Sequence, residues 1–109
     1  MPVNGLPTGR KIVEGNLILE LGTPIGAYKL VEIVQHAVER MAERKVSEPD
    51  VLNTLRNPDE TGLHTEPGRK RVSRNKTARI AIEVIYEELK DRLRVITVVS
   101  RTRRISGRR

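Results

Sequence analysis

The amino-acid sequence predicts an α+β domain in which N-terminal helices pack on one face of a three- to four-stranded antiparallel sheet. Two helical patterns come first, over residues 25–45 and 47–56, and strand-like patterns follow over 69–74, 78–87 and 93–100. Helices that precede a run of strands, instead of alternating with them, favour this class over a parallel α/β sheet. The chain has 109 residues, which we interpret as a single domain over 1–109 with one core.

The first helix is predicted over about 25–45. Thr23 and Pro24 form an N-cap followed by a proline at the first helical position. Apolar residues then recur every three or four positions, which is typical of a helix with one stripe facing a core. These residues are Ala27, Leu30, Val31, Val34, Val38 and Met41. Residues 1–15 are rich in Gly and Pro and are predicted to be an irregular lead-in.

A second helix is predicted after Ser47, which is followed three residues later by Asp50. It is expected to end before Asn57 and Pro58, and residues 59–68 are expected to form a loop. The later segments alternate apolar and polar residues or are rich in β-branched residues, as strands are. We expect the long helix to cover one face of the sheet and the other face to stay open to a ligand.

The distribution of charge indicates a polyanionic partner. Lys and Arg number 21 against 14 Asp and Glu, which gives a net charge of +7. Residues 69–79 contain six cations and no acid, and residues 101–109 contain five cations and no acid. Cations without acids repel one another unless an anion is nearby, which favours nucleic acid as a ligand. An edge strand protected by its charges is the alternative for 69–79, and a disordered tail is the alternative for the basic tail 101–109.

The composition excludes several classes of function. The chain has no cysteine, which excludes disulfide scaffolds, thiolate catalysis and cysteine-based zinc sites; two histidines are too few for a metal site, so no metal and no cofactor is expected. The absence of Trp and Phe argues against proteins that stack bases on exposed aromatic rings. No apolar run suggests a signal peptide or a membrane span, so we expect a cytoplasmic protein with no membrane partner.

Three side chains on the predicted first helix are the leading candidates for a site. His36, Arg40 and Arg44 are spaced four residues apart, which places them on one ridge beside the apolar stripe. Histidine suits a role as acid or base because its ordinary pKa lies nearest neutral pH, and arginine suits a phosphate. A surface histidine within reach of Glu32 is the alternative interpretation.

Three further residues have chemistry that fits a nucleic-acid site, each with a structural alternative. His64 precedes the basic strand and is either an exposed loop residue or an acid–base group. Tyr86 either caps the core at a strand end or offers its hydroxyl to a ligand. Thr97 either suits its strand as a β-branched residue or contacts a phosphate or ribose.

The stretch from His36 to Arg101 carries three motifs in a fixed order. They are His-x3-Arg-x3-Arg on the first helix, a "V...L..P" second helix and a last strand reading "VITV". With these motifs the chain resembles a bacterial and archaeal family of small uncharacterised domains. That family is grouped with the RelE-like, barnase, EndoU and colicin-type (BECR) ribonuclease toxins. The resemblance implies a RelE/barnase/EndoU-like fold and a metal-independent endoribonuclease toxin.

The same resemblance implies roles for individual residues. A base removes the proton of a ribose 2′-hydroxyl, which attacks the adjacent phosphorus, while cations hold the charge on the phosphorane and an acid protonates the leaving 5′-oxygen. The family's helix pattern falls on His36, Arg40 and Arg44, its basic strand on Arg69 and Arg71, and its last-strand threonine on Thr97, whereas His64 and the basic tail have no clear counterpart. With the candidates from the residues themselves added, the expected catalytic residues are His36, Arg40, Thr97, Tyr86 and His64. The expected RNA-binding residues are Arg44, Arg69, Lys70, Arg71, Arg74 and Arg101. The second proton-transfer group is left open among His64, Tyr86 and Lys70.

The expected partners follow from this interpretation. The substrate is RNA, whether tRNA, mRNA or rRNA, and a cognate antitoxin or immunity protein is the expected inhibitor. The alternative function is a non-catalytic RNA- or DNA-binding module, for which the basic strand and the basic tail suffice.

Overall fold

A computed structural model of the chain describes residues 7–102, which form one seven-stranded mixed sheet and two short helices. The strands are β1 (Pro7–Val13), β2 (Asn16–Ile25), β3 (Tyr28–Ile33), β4 (Glu60–Leu63), β5 (Arg69–Asn75), β6 (Ile80–Glu88) and β7 (Leu93–Thr102), and the helices are α1 (Gln35–Arg44) and α2 (Glu48–Arg56). The strand order is β1-β2-β3-β7-β6-β5-β4. Neighbouring strands are antiparallel, except that β3 and β7 are parallel.

The predicted fold class, helices on a three- to four-stranded antiparallel sheet, is therefore wrong. Three strands precede the helices, and the region predicted as the first half of a long helix contains the end of β2 and all of β3. Val31 and Ile33 are buried in β3, between the backbones of β2 and β7. Backbone hydrogen bonds to a strand on each side favour the extended conformation of β3. The apolar residues of this segment fit both the helical and the strand periodicity, so their spacing alone does not decide between a helix and a strand.

The irregular lead-in predicted for residues 1–15 is also wrong where the structure describes it. Residues 7–13 form β1, which pairs with β2 through a two-residue turn at Glu14 and Gly15. Both turn residues have positive φ, 53° and 85°, the conformation whose twist suits a tight hairpin. Residues 1–6 lie outside the described part.

The second helix and the last three strands are confirmed. The Ser47 Oγ accepts the Asp50 N–H at 3.1 Å, and the Asp50 carboxylate accepts the Ser47 N–H at 3.0 Å. This reciprocal cap begins α2 as predicted, and the helix ends at Arg56. The predicted loop over 59–68 is partly wrong, because residues 60–63 form β4 and pair with β5.

The two helices cover one face of the sheet and form the core with it. α1 buries Ala37 and Met41, and α2 buries Val51, Leu52 and Leu55. Alternate residues of five strands meet them; these are Leu17, Leu19, Leu21, Val31, Ile33, Val72, Ile82, Val84, Leu93, Val95 and Val98. We refer to this side of the sheet as the helix face and to the other side as the second face.

No helix of the described residues 7–102 packs on the second face, where arginine side chains lie over a buried carboxylate. Glu83 is buried there and accepts hydrogen bonds from Arg71 at 2.9 Å and from Arg101 at 3.0 and 3.1 Å. Ile18 and Ile85 are buried although they lie outside the core beneath the helices. Long arginine stems shield apolar surface while their charged ends stay in water or in ion pairs.

The charge of Glu83 is stabilised by its two partners. Burial acts to raise the pKa of this carboxyl, but the hydrogen bonds and charges of Arg71 and Arg101 outweigh it, so the pKa lies below its ordinary value. A carboxyl whose pKa is lowered by folding stabilises the folded state above its ordinary pKa, and this contribution is lost as the pH falls through the folded-state pKa.

We expect Glu83→Gln to lower the free energy of unfolding by about 1–2 kcal/mol at about pH 7, because two charge-assisted hydrogen bonds are weakened. The difference from the wild type should shrink between about pH 5 and about pH 3. Urea denaturation across this range measures both effects. Glu20→Gln, at an exposed position of β2, is the matched control and should follow the wild type. A difference for Glu83→Gln that does not change with pH would contradict the account.

Candidate functional site

The predicted ridge of His36, Arg40 and Arg44 lies on α1, although α1 is about half as long as predicted. The Arg40 Nε donates to the His36 Nε2 at 3.4 Å, and the Arg40 Nη1 pairs with the Glu43 carboxylate at 2.9 Å. His36 is exposed and Arg40 is half-buried.

Arg44 ties this ridge to β7. The parallel pairing of β3 with β7 reaches Val95, and within residues 7–102 the rest of β7 has only β6 as a partner strand. α1 follows at once, since the Val34 N–H donates to the Val95 carbonyl at 3.2 Å. The Arg44 Nη1 donates to the Val98 carbonyl at 3.1 Å. The ridge therefore lies beside the half of β7 that β3 leaves unpaired, and Arg44 positions α1 there.

Thr97 lies in the same half of β7, next to Val98. A register shift between the pairs of Ile85 and Tyr86 places Thr97 opposite Ile85. Val98 is buried in the core, and Thr97 is only half-buried, so its side chain lies on the second face, by the alternation of strands. Thr97 and the ridge therefore lie at the same stretch of β7, Thr97 on the second face and the ridge on the helix face.

Tyr86 and His64 lie elsewhere. Tyr86 is partly buried against the core on the helix face; burial raises the pKa of its hydroxyl, Glu88 adds to this effect, and Lys70 opposes it. The His64 Nδ1 accepts the Glu66 N–H at 3.1 Å and so helps to close the loop after β4. In the part of the chain that the structure describes, neither side chain hydrogen-bonds to the ridge.

The basic strand β5 is neutralised by the strand beside it. Arg69 pairs with Glu87 at 3.3 Å, Lys70 with Glu88 at 2.8 Å and Arg71 with Glu83 at 2.9 Å. The hydrogen bond to Glu88 raises the pKa of Lys70. The premise that these cations need a foreign anion is therefore wrong: antiparallel pairing with β6 supplies the acids. The edge-strand alternative is wrong as well, because β5 lies between β4 and β6.

The two other predicted RNA-binding cations also have partners within the chain. Arg74 donates to the Asn57 carbonyl at 2.8 Å, and Arg101 shares Glu83 with Arg71. Residues 7–102 contain 17 Lys and Arg and 14 Asp and Glu, a net charge of +3. The basic tail, apart from Arg101 and Thr102 at the end of β7, lies outside the described residues.

The residues that the sequence interpretation missed are the acids that bind these cations. Glu43 pairs with Arg40 on the ridge itself, and Glu83, Glu87 and Glu88 pair with the basic strand. The short connection between β5 and β6 indicates that the two strands pair as a hairpin, which brings the acids of β6 to the cations of β5. Once Asn75 is paired with Ala81, counting back along both strands places Arg69 opposite Glu87.

Over residues 7–102, no group of three or more His, Cys, Asp or Glu side chains is arranged to hold a metal ion. Within the same range, neither helix has the length and apolar character needed to cross a membrane.

Most of the described domain matches the model of one known protein family. Residues 33–100 match a family described as a domain of unknown function, DUF4258. The chain belongs to the DUF4258 family. No curated protein and no solved structure gives a significant match. The DUF4258 region begins at Ile33, the last residue of β3, and ends at Ser100 in β7. It includes α1, α2, the ridge and Thr97, and it leaves β1 and β2 outside.

We expect Arg44→Met to lower the free energy of unfolding by about 1 kcal/mol, because the Val98 carbonyl loses its charge-assisted donor. Methionine and arginine have similar helix propensities, so the effect reports on the contact. Amide hydrogen exchange should become faster across α1. Arg40→Met on the same ridge is the matched control, with a change below about 0.5 kcal/mol. Equal effects of the two substitutions would show that Arg44 does not hold α1 against β7.

Proposed function

We propose that this DUF4258 protein is a metal-independent endoribonuclease whose site lies at the α1 ridge and the adjacent half of β7. One observation carries the proposal: His36 and Arg40 lie side by side at 3.4 Å on a helix that Arg44 holds against β7, and His36 is exposed. A general base next to a fixed cation is the minimum that 2′-hydroxyl attack on a phosphodiester requires.

The chemistry divides between the two side chains. The Arg40 Nε–H releases the His36 Nε2, which then takes the proton of the ribose 2′-hydroxyl as the O2′–P bond forms and the P–O5′ bond breaks. The Arg40 guanidinium exchanges its contact with Glu43 for the non-bridging phosphate oxygens and offsets their growing charge. Water protonates the leaving 5′-oxygen, since Tyr86 and His64 lie away from the ridge. The products are a 2′,3′-cyclic phosphate and a 5′-hydroxyl.

Substrate contacts beyond the reacting phosphate are proposed for β7. Thr97 supplies a hydroxyl to the ribose or phosphate, and Arg101, whose side chain is 64% exposed, contacts the RNA backbone further along the strand. The proposal includes a cytoplasmic location, where RNA substrates are present, and an antitoxin or immunity protein that restrains the enzyme.

Incubation of the purified chain with end-labelled cellular RNA in excess EDTA tests this proposal. The wild type should give fragments that end in a 2′,3′-cyclic phosphate. We expect His36→Asn and Arg40→Met to lower the cleavage rate at least ~100-fold, because each removes one of the two groups that act on the reacting phosphate. Both variants should keep the wild-type circular dichroism spectrum.

Glu39→Gln, an exposed residue of α1 outside the ridge, is the matched control and should cleave at the wild-type rate. Wild-type protein that binds RNA in a salt-dependent manner but releases no fragments would contradict the proposal and support the non-catalytic binding module. Unchanged cleavage by both ridge variants would also contradict it.

A further inference from the structure

One row of residues crosses all seven strands on the helix face. It starts at Leu63 on β4, passes through Lys70, Tyr86, Val95, Ile33 and Leu17, and ends at Ile12 on β1. The two ends of this row are prominent because they are large apolar side chains in solvent: Leu63 is 81% exposed and Ile12 is 63% exposed.

The two edges that carry these side chains differ in length. β4 has four residues, and a short edge strand is a poor template for pairing with another chain. β1 has seven residues, and Val13 beside Ile12 is also exposed, at 44%. In residues 7–102, β2 is the only strand that pairs with β1. β1 is therefore the edge with both the length and the apolar surface for a partner strand.

The hairpin turn decides which backbone groups of β1 face outward. A two-residue turn requires the flanking pair, Val13 and Asn16, to exchange both backbone hydrogen bonds. Alternate residues of β1 bond to β2 in the same way, so the N–H and C=O groups of Arg10 and Ile12 point away from β2. These groups are available to a strand that adds to the edge.

We propose that β1 pairs antiparallel with β1 of a second copy of this chain, across a two-fold axis at Ile12. In this register Ile12 packs against the partner's Ile12 on the helix face, and Lys11 lies opposite the partner's Val13 on the second face. Shifting the register by one pair places Lys11 against the partner's Lys11, and a further shift places Arg10 against the partner's Arg10. Like charges directly opposite each other destabilise a strand pair, so charge disfavours these two registers. A register shifted toward the turn keeps fewer pairs, because β1 ends at Val13.

This contact is isologous and closes at two copies, joining the two sheets into one continuous sheet. Pairing along one strand buries less area than the ~1,200 Å² that typifies stable complexes, so the dimer forms in a concentration-dependent equilibrium. The contact lies in β1, outside the DUF4258 region, and it does not depend on ribonuclease activity.

Sedimentation velocity of the full chain over a wide concentration range tests the proposal. The wild type should show a monomer–dimer equilibrium. We expect Ile12→Lys to weaken association at least ~tenfold, because it places two like charges on the axis and removes the apolar contact. Leu63→Lys makes the same change at the other end of the row and should associate as the wild type does. Both side chains are exposed, and circular dichroism checks that both variants are folded.

Three outcomes would overturn the proposal. They are a wild type that stays monomeric at every concentration, association that Leu63→Lys removes and Ile12→Lys does not, and wild-type species larger than a dimer, which would mean that β1 of one copy joins β4 of the next. The register has its own test, since the chain has no cysteine. A nitroxide on Ile12→Cys should show strong spin–spin coupling within the dimer, and a nitroxide on Leu63→Cys should show none.

Discussion

A three-residue parallel ladder joins β3 to β7, and in residues 7–102 it is the only place where β1–β3 meet the rest of the sheet. Parallel pairs are slightly weaker than antiparallel pairs, and three of them make a short junction. Glu32 is buried in this ladder and accepts hydrogen bonds from Asn16 at 2.9 Å and Arg94 at 3.2 Å, with Arg92 at 3.6 Å. One carboxylate thus links β2, β3 and β7.

The candidate site depends on the same junction, because the chain turns from β3 into α1 where the ladder ends. The Val34 N–H extends the ladder by one bond to Val95, and α1 then lies along the unpaired half of β7, where Arg44 reaches Val98. The DUF4258 region begins at this turn. β1, β2 and β3 precede this turn. β3 pairs with part of β7, and β1 becomes the edge strand on this side of the sheet. The proposed RNA site and the proposed dimer contact therefore lie on different strands.

Local signals were sufficient for some elements. The Ser47 and Asp50 cap defines α2, and the four-residue spacing of the ridge is a property of one helix. The segment before α1 depended on distant strands: Val31 and Ile33 are extended because β2 and β7 pair with them. The pairing of the charged residues also depended on strands that are distant in sequence. The cations of β5 are neutralised by acids that follow 12 to 18 residues later, and only the strand register brings them together. The approach of α1 to the half of β7 that contains Thr97 also depends on tertiary packing.

Native-state hydrogen exchange of Glu32→Gln tests the role of the β3–β7 junction most directly. If Glu32 secures the ladder, loss of its charge should speed exchange at least ~tenfold at the amides of β3 and α1 together, because both open when the junction opens. Glu20→Gln, an exposed glutamate on the neighbouring strand β2, should exchange as the wild type does. Unchanged exchange in Glu32→Gln, or faster exchange confined to the β1–β2 turn, would contradict the account.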